Sequence, residues 1–79
     1  MQKEKLFERI RNNPYNIRFS DFCKAMVAAG FYFDRQKGSH RIYFHDAIKK
    51  RLLVQADKGM AKAYQVKQFI VLLMELGGI

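Results

Sequence analysis

The stretch His40-Arg41-Ile42-Tyr43-Phe44-His45 constrains the fold of this chain more than any other. Its residues sort by parity, Ile42 and Phe44 to one side, Arg41, Tyr43 and His45 to the other. A period of two is the signature of a strand. Gly38 stands just before it, where a tight hairpin turn favours a residue free to take positive φ. The aromatic-rich segment 31–36 then pairs on one side and 51–56 on the other, with Leu52 and Val54 facing inward. Asp46 to Lys49 turns the chain between the second and third strands. Three hairpin-linked strands form an antiparallel meander, and such a sheet needs one face covered.

Helices supply that cover. Leu6, Phe7 and Ile10 give residues 3–12 one apolar face, and Asn12-Asn13-Pro14 ends it, since the residue before proline avoids the helical region. Tyr15 to Phe19 reads as an extended connector. Ser20 reads as an N-cap, and Asp21 suits the positive end of a helix dipole. The helix that follows buries Phe22, Cys23, Met26 and Val27 and stops near Ala29, with Gly30 as its C′ residue. Cys23 is thereby a small core residue. Asp57 to Ala63 reads as a basic loop. A last helix, 64–76, presents Val66, Phe69, Ile70 and Leu73, and Gly77-Gly78 ends it. The expected fold is α+β, in the order α-α-β-β-β-α, with the helices on one face of a three-stranded antiparallel sheet.

Seventy-nine residues support one domain and one core, here 1–79, with an N-terminal helix and connector over 1–17 and the core over 18–76. Fifteen Lys and Arg against seven Asp and Glu give a net charge of +8. The excess concentrates between Arg35 and Lys67, which holds nine basic residues and only Asp46 and Asp57 as acids. Such a surface either solubilises the protein or attracts a polyanion. One cysteine forms no internal disulfide and points to a reducing cytoplasm. The longest apolar run, Phe69 to Met74, is too short for a bilayer, so no membrane partner is expected.

Chemistry concentrates at His40. Histidine ordinarily titrates near neutral pH and so serves as an acid or base. RNA carries its own nucleophile, the ribose 2′-hydroxyl, so one histidine and nearby positive charge suffice to cleave it. Lys37, Arg41, Lys58 and Lys62 are the candidate cations, and backbone N–H groups near Gly38 could hold a phosphate oxygen. Parity with Ile42 and Phe44 leans toward a packed histidine, whereas the adjacent glycine lets it tilt out. His45 lies an odd number of residues away and so on the other face, roughly 16 Å distant at ~3.3 Å per residue. The two histidines therefore make neither a cleavage pair nor co-ligands of one metal, and no metal or cofactor is expected. Tyr32 and Tyr43 are candidates for stacking bases.

The run Phe31 to His40, closing on Lys37-Gly38-Ser39-His40, with Arg41 to His45 after it, resembles the HicA (YcfA-like) toxins. So do Arg18 to Lys24 followed by Ala29-Gly30-Phe31, and Asp57 to Phe69. The resemblance covers about residues 18–76. It implies a fold similar to double-stranded-RNA-binding domains and a metal-independent endoribonuclease, an mRNA interferase that arrests growth. It also implies a HicB-type antitoxin that binds and silences the toxin, which is monomeric alone and hetero-oligomeric in the complex. The family's catalytic histidine corresponds to His40, with Gly38 shaping its turn and Ser39 supporting it. A non-catalytic RNA-binding module of the same fold is the alternative, and a module that binds only an acidic protein is a third.

Overall fold

The computed structural model describes residues 3–77; Met1, Gln2, Gly78 and Ile79 lie outside the described residues, so the expected Gly77-Gly78 stop is visible only at Gly77. Helix α1 spans Lys3–Asn12, α2 Phe19–Ala28 and α3 Ala63–Glu75. Strands β1 (Tyr32–Lys37), β2 (His40–His45) and β3 (Lys50–Val54) form one antiparallel sheet in the order β1-β2-β3. The α+β order read from the sequence is the order observed.

Segment 57–63, expected as a basic loop, instead contains most of a second small ribbon. Strands β4 (Ala56–Asp57) and β5 (Met60–Ala61) pair across Lys58 and Gly59, whose φ angles of 53° and 81° suit a two-residue hairpin turn. This ribbon also resets the start of α2. Arg18 bridges to Met60, the Ile17 carbonyl accepts from Ala61 N–H at 2.8 Å, and Phe19 N–H donates to the Gly59 carbonyl at 3.0 Å. Arg18 is therefore held extended and becomes the N-cap, with no side-chain capping bond. Ser20, the expected cap, falls inside the first turn, and the Gly59 carbonyl satisfies one of the amides that a helix N-terminus leaves open.

The helices bury the stripes that their spacing implies. Leu6, Phe7 and Ile10 of α1 meet Phe22 and Met26 of α2 and Val66, Phe69 and Leu73 of α3 in one core. Phe69 is its hub, with ring centroids 5.7 Å from Phe22, 6.0 Å from Phe31 and 6.4 Å from Phe7, all edge-to-face. The stripe of α2 is narrower than expected: Val27 is 59% exposed, and Cys23 only packs against the core's border.

The sheet's two faces settle which way His40 looks. Cross-strand partners share a face, and Phe33, Tyr43 and Leu52 are in register. Tyr43, Leu52 and Val54 belong to the helix-covered core, so this is the inner face. Tyr32-Phe44-Arg51 and Arg35-Ile42-Leu53 form the outer one. A register shift between Phe33 and Arg35 brings Tyr32 and Arg35, three residues apart, to the same side. His40 does share a side with Ile42 and Phe44, but that side is the open one. The inference that it leans toward a packed histidine is reversed, because alternation gives the parity of a strand while only the packed helices choose its inner face.

Candidate functional site

Gly38 and Ser39 are the two central residues of the β1–β2 hairpin, between the paired Lys37 and His40. Gly38 takes φ +62°, while Ser39 stays in the ordinary negative range. Glycine at the first position is what a type II′ turn requires. Gln36 Nε2 braces the turn by donating to the Gly38 carbonyl at 3.1 Å. His40 and Lys37 are both exposed beside it, and none of the described hydrogen bonds or ion pairs engages the His40 ring. Its two ring nitrogens are thus open to a ligand.

A chain of side-chain bonds ties this turn to the start of α3. Gln55 Nε2 donates to Ser39 Oγ at 3.0 Å, and Lys62 Nζ donates to Gln55 Oε1 at 3.3 Å. Gln65, almost fully buried, fixes the middle of the chain: its Oε1 accepts from Gln55 N–H at 3.0 Å, and its Nε2 donates to the Tyr64 hydroxyl at 3.2 Å. Gln55, expected only as part of the strand over 51–56, was not among the candidate site residues. A glutamine at a strand end carries no motif, and its role emerges only when the β3 end folds beside the hairpin turn.

The expected site residues therefore divide. Lys37, Gly38 and Ser39 share the turn with His40, and Lys62 joins them through Gln55. Lys58 sits exposed at the tip of the β4–β5 ribbon. Arg41 turns to the inner face, where its guanidinium carbon lies 5.3 Å from the Phe19 ring centroid and Nη1 reaches Cys23 Sγ at 3.8 Å. A cation therefore approaches Cys23, a contact between segments that no local pattern signals.

His45 is fully engaged in structure. Its Nε2 lies 3.0 Å from the Ala29 carbonyl, and its Nδ1 accepts from Ala47 N–H at 3.2 Å. Only the neutral tautomer carrying its proton on Nε2 satisfies both contacts. The ring packs edge-on against Phe31 and lies over Gly30. No nitrogen is left for proton transfer. Tyr43, a candidate for base stacking, is only 4% exposed and faces the helices. Burial pushes its hydroxyl above the ordinary phenol value, neighbouring Cys23 adds to this, and Arg41 opposes it. Tyr32 remains exposed on the outer face.

Among the described residues no group of three or more His, Cys, Asp or Glu side chains is placed to hold a metal ion. No helix among them is long and apolar enough to cross a membrane. The chemistry that remains is an exposed imidazole at a rigid turn, with Lys37 across the strand pair and Lys62 held nearby. Such a site can move a proton on a bound phosphodiester and offset its charge.

A family model described as the HicA toxin of bacterial toxin–antitoxin systems matches residues 19–77. No curated protein and no solved structure matches the chain.

Proposed function

This chain belongs to the HicA toxin family of bacterial toxin–antitoxin systems, and from that premise we propose that it is a metal-independent endoribonuclease acting on mRNA through His40. The observation that carries the reading is the unengaged His40 ring on the open sheet face, beside a turn braced by Gln36 and Gln55. In the proposed reaction the ribose 2′-oxygen attacks the adjacent phosphorus and the bond to the 5′-oxygen breaks. The 2′-hydroxyl proton is lost and the leaving 5′-oxygen gains one, giving a 2′,3′-cyclic phosphate and a 5′-hydroxyl. His40 performs one of these two transfers, and water the other. Lys37 and Lys62 offset the charge that builds on the phosphoryl oxygens, and the backbone at Gly38 lets that phosphate approach closely. Lys58 extends the positive surface along the RNA. His45 takes no part, since both its nitrogens are occupied.

The partner that silences the toxin is proposed to be a HicB-type antitoxin lying over His40 and its neighbouring lysines, because covering the site or neutralising its charge are the direct ways to stop it. An antitoxin that touched only residues 1–12 would contradict this occlusion.

Cleavage of single-stranded RNA by the wild type and by His40→Ala, in EDTA, with circular dichroism confirming that both fold, tests the reading. Cutting by the wild type alone, with cyclic-phosphate ends, supports it. A 5′-phosphate product rules out the mechanism. Binding without cutting by either protein makes the chain an RNA-binding module of the same fold.

A further inference from the structure

The outer face of the β1-β2-β3 sheet holds a feature that the cleavage chemistry does not use. Tyr32 and Phe44 are cross-strand partners there, with ring centroids 6.0 Å apart and planes at 69°. Tyr32 on β1 is 44% exposed and Leu53 on β3 is 47% exposed, whereas Ile42 between them is 7% exposed and Phe44 half-buried, so the open apolar surface lies on the two edge strands over a packed centre. Its flanks are cationic: Arg35, Lys37 and Arg51 point to this side by register and are exposed. His40 stands on the same face at the opposite end of β2 from Phe44, four residues or about 13 Å along the strand at ~3.3 Å per residue.

We infer that this face is a binding platform for single-stranded RNA, on which Tyr32, backed by Phe44, stacks an unpaired base a short way along the strand from the phosphate at His40. The inference rests on the nuclease reading and adds to it a positioning subsite. An aromatic ring framed by cations is the arrangement that takes a base on its face and the backbone on its rim. Cations stand at both ends of the face: Lys37 pairs with His40 at one end, and Arg51 lies in the Tyr32–Phe44 row at the other. Arg35, one row from Tyr32, also meets the Asp34 carboxylate at 3.4 Å. Backbone phosphates on either side of a stacked base therefore have a cation within reach. A second copy of the chain is a poor occupant, because a two-fold contact would bring the same cationic set, Arg35, Lys37 and Arg51, from both copies into one interface. A duplex fits no better, since its bases are already stacked.

Binding of a labelled single-stranded oligonucleotide fully 2′-O-methylated, and so unable to be cut by 2′-oxygen attack, tests this without disabling His40. Tyr32→Ala weakens binding at least about fivefold, the low end of the loss expected on removing a base-stacking ring. Tyr32→Phe restores it, and neither change alters affinity for a duplex of the same sequence. Circular dichroism confirms that all three proteins fold, as expected for an exposed edge-strand position. Equal affinity of the wild type and Tyr32→Ala for the single strand overturns the platform while leaving His40-dependent cleavage standing. Absence of cleavage of ordinary RNA by both the wild type and His40→Ala, with Tyr32 sensitivity intact, instead removes the nuclease assignment and keeps the platform. A wild type that dimerises through this face, with Tyr32→Ala monomeric in ultracentrifugation and unchanged in RNA affinity, assigns the face to a second copy and overturns the inference.

Discussion

Gln55 and Ser39 are joined at 3.0 Å, Nε2 to Oγ, and this bond fixes the turn that presents His40 to the open face of the sheet. The same amide holds Lys62 Nζ at 3.3 Å through its oxygen. Gln55 itself touches neither histidine in any described hydrogen bond, so its effect on cleavage runs through the position of its two neighbours. Replacing Gln55 with Ala removes both side-chain bonds and keeps the backbone bond to Gln65. At about 0.5–1.5 kcal/mol per bond, cleavage slows about 2- to 12-fold for each bond that matters in the transition state. Stability changes by less than about 1 kcal/mol, because both partners can turn to water. Single-turnover cleavage with a parallel urea titration measures the two effects. A large loss of stability with an unchanged rate per folded molecule would assign Gln55 to the fold alone.

Gly30 and His45 make the opposite case, a close contact that serves only the fold. Gly30 has φ +99°, and a Cβ placed on it would stand 2.7 Å from His45 Nε2. That nitrogen is held by the Ala29 carbonyl, so the ring has no easy retreat. Gly30→Ala combines left-handed strain with a broken hydrogen bond and costs about 2–4 kcal/mol. This is a large share of the ~5–15 kcal/mol of a typical domain. The rate per folded molecule stays at the wild-type value, which separates His45 from His40. Urea denaturation gives the first quantity and active-site-normalised cleavage the second. A variant that is stable but inactive would place His45 in the chemistry.

Much of this arrangement was legible in the sequence, and the parts that were not have definite reasons. Leu6, Phe7 and Ile10 of α1 and Val66, Phe69 and Leu73 of the expected α3 stripe are buried as their helical spacing implies, because such faces are local properties, while Ile70 of that stripe is only half-buried at the core's border. The opposite parity of His40 and His45 is equally local, and it holds. The choice of inner face was not legible, since Ile42-Phe44 and Tyr43-His45 are both able to pack and only the helices decide between them. The Ser20 cap failed for a related reason: a carbonyl forty residues away, on Gly59, took over at the helix start. Within the candidate site, the Lys37-to-His40 turn could be read from Gly38 and the strand after it. Gln55 and the diversion of Arg41 toward Phe19 are contacts between distant segments, and no pattern within either segment reports them.

Tyr43 gives the fold a dependence on alkaline pH. Burial first, and then Cys23, raise its hydroxyl above the ordinary phenol value near 10, against an opposing effect of Arg41. The folded chain therefore keeps a proton that the unfolded chain releases. The stabilisation is complete below about pH 10 and is lost as pH rises from there through the folded value. Tyr43→Phe removes this contribution, so its stability falls less steeply than that of the wild type above about pH 10. Urea midpoints for both proteins between pH 8 and 11 show the difference, and parallel curves would mean that the Tyr43 proton is not coupled to folding.

Salt separates the cations that meet RNA from those that serve packing. Each phosphate contact to a single strand contributes about 0.7 to the slope of log affinity against log salt. Lys62 is held toward the His40 turn by Gln55, so Lys62→Ala lowers affinity and reduces the slope by about that amount. Arg41 lies over Phe19 with Nη1 at Cys23 Sγ, on the face opposite His40. Arg41→Ala should leave the slope unchanged and lower stability instead, by the ~0.5–1 kcal/mol of an exposed cation–π contact. Binding of the 2′-O-methylated strand between 50 and 300 mM salt gives both slopes. A reduced slope for Arg41→Ala would show that its guanidinium leaves Phe19 to reach a phosphate, and would extend the RNA path around the edge of the sheet.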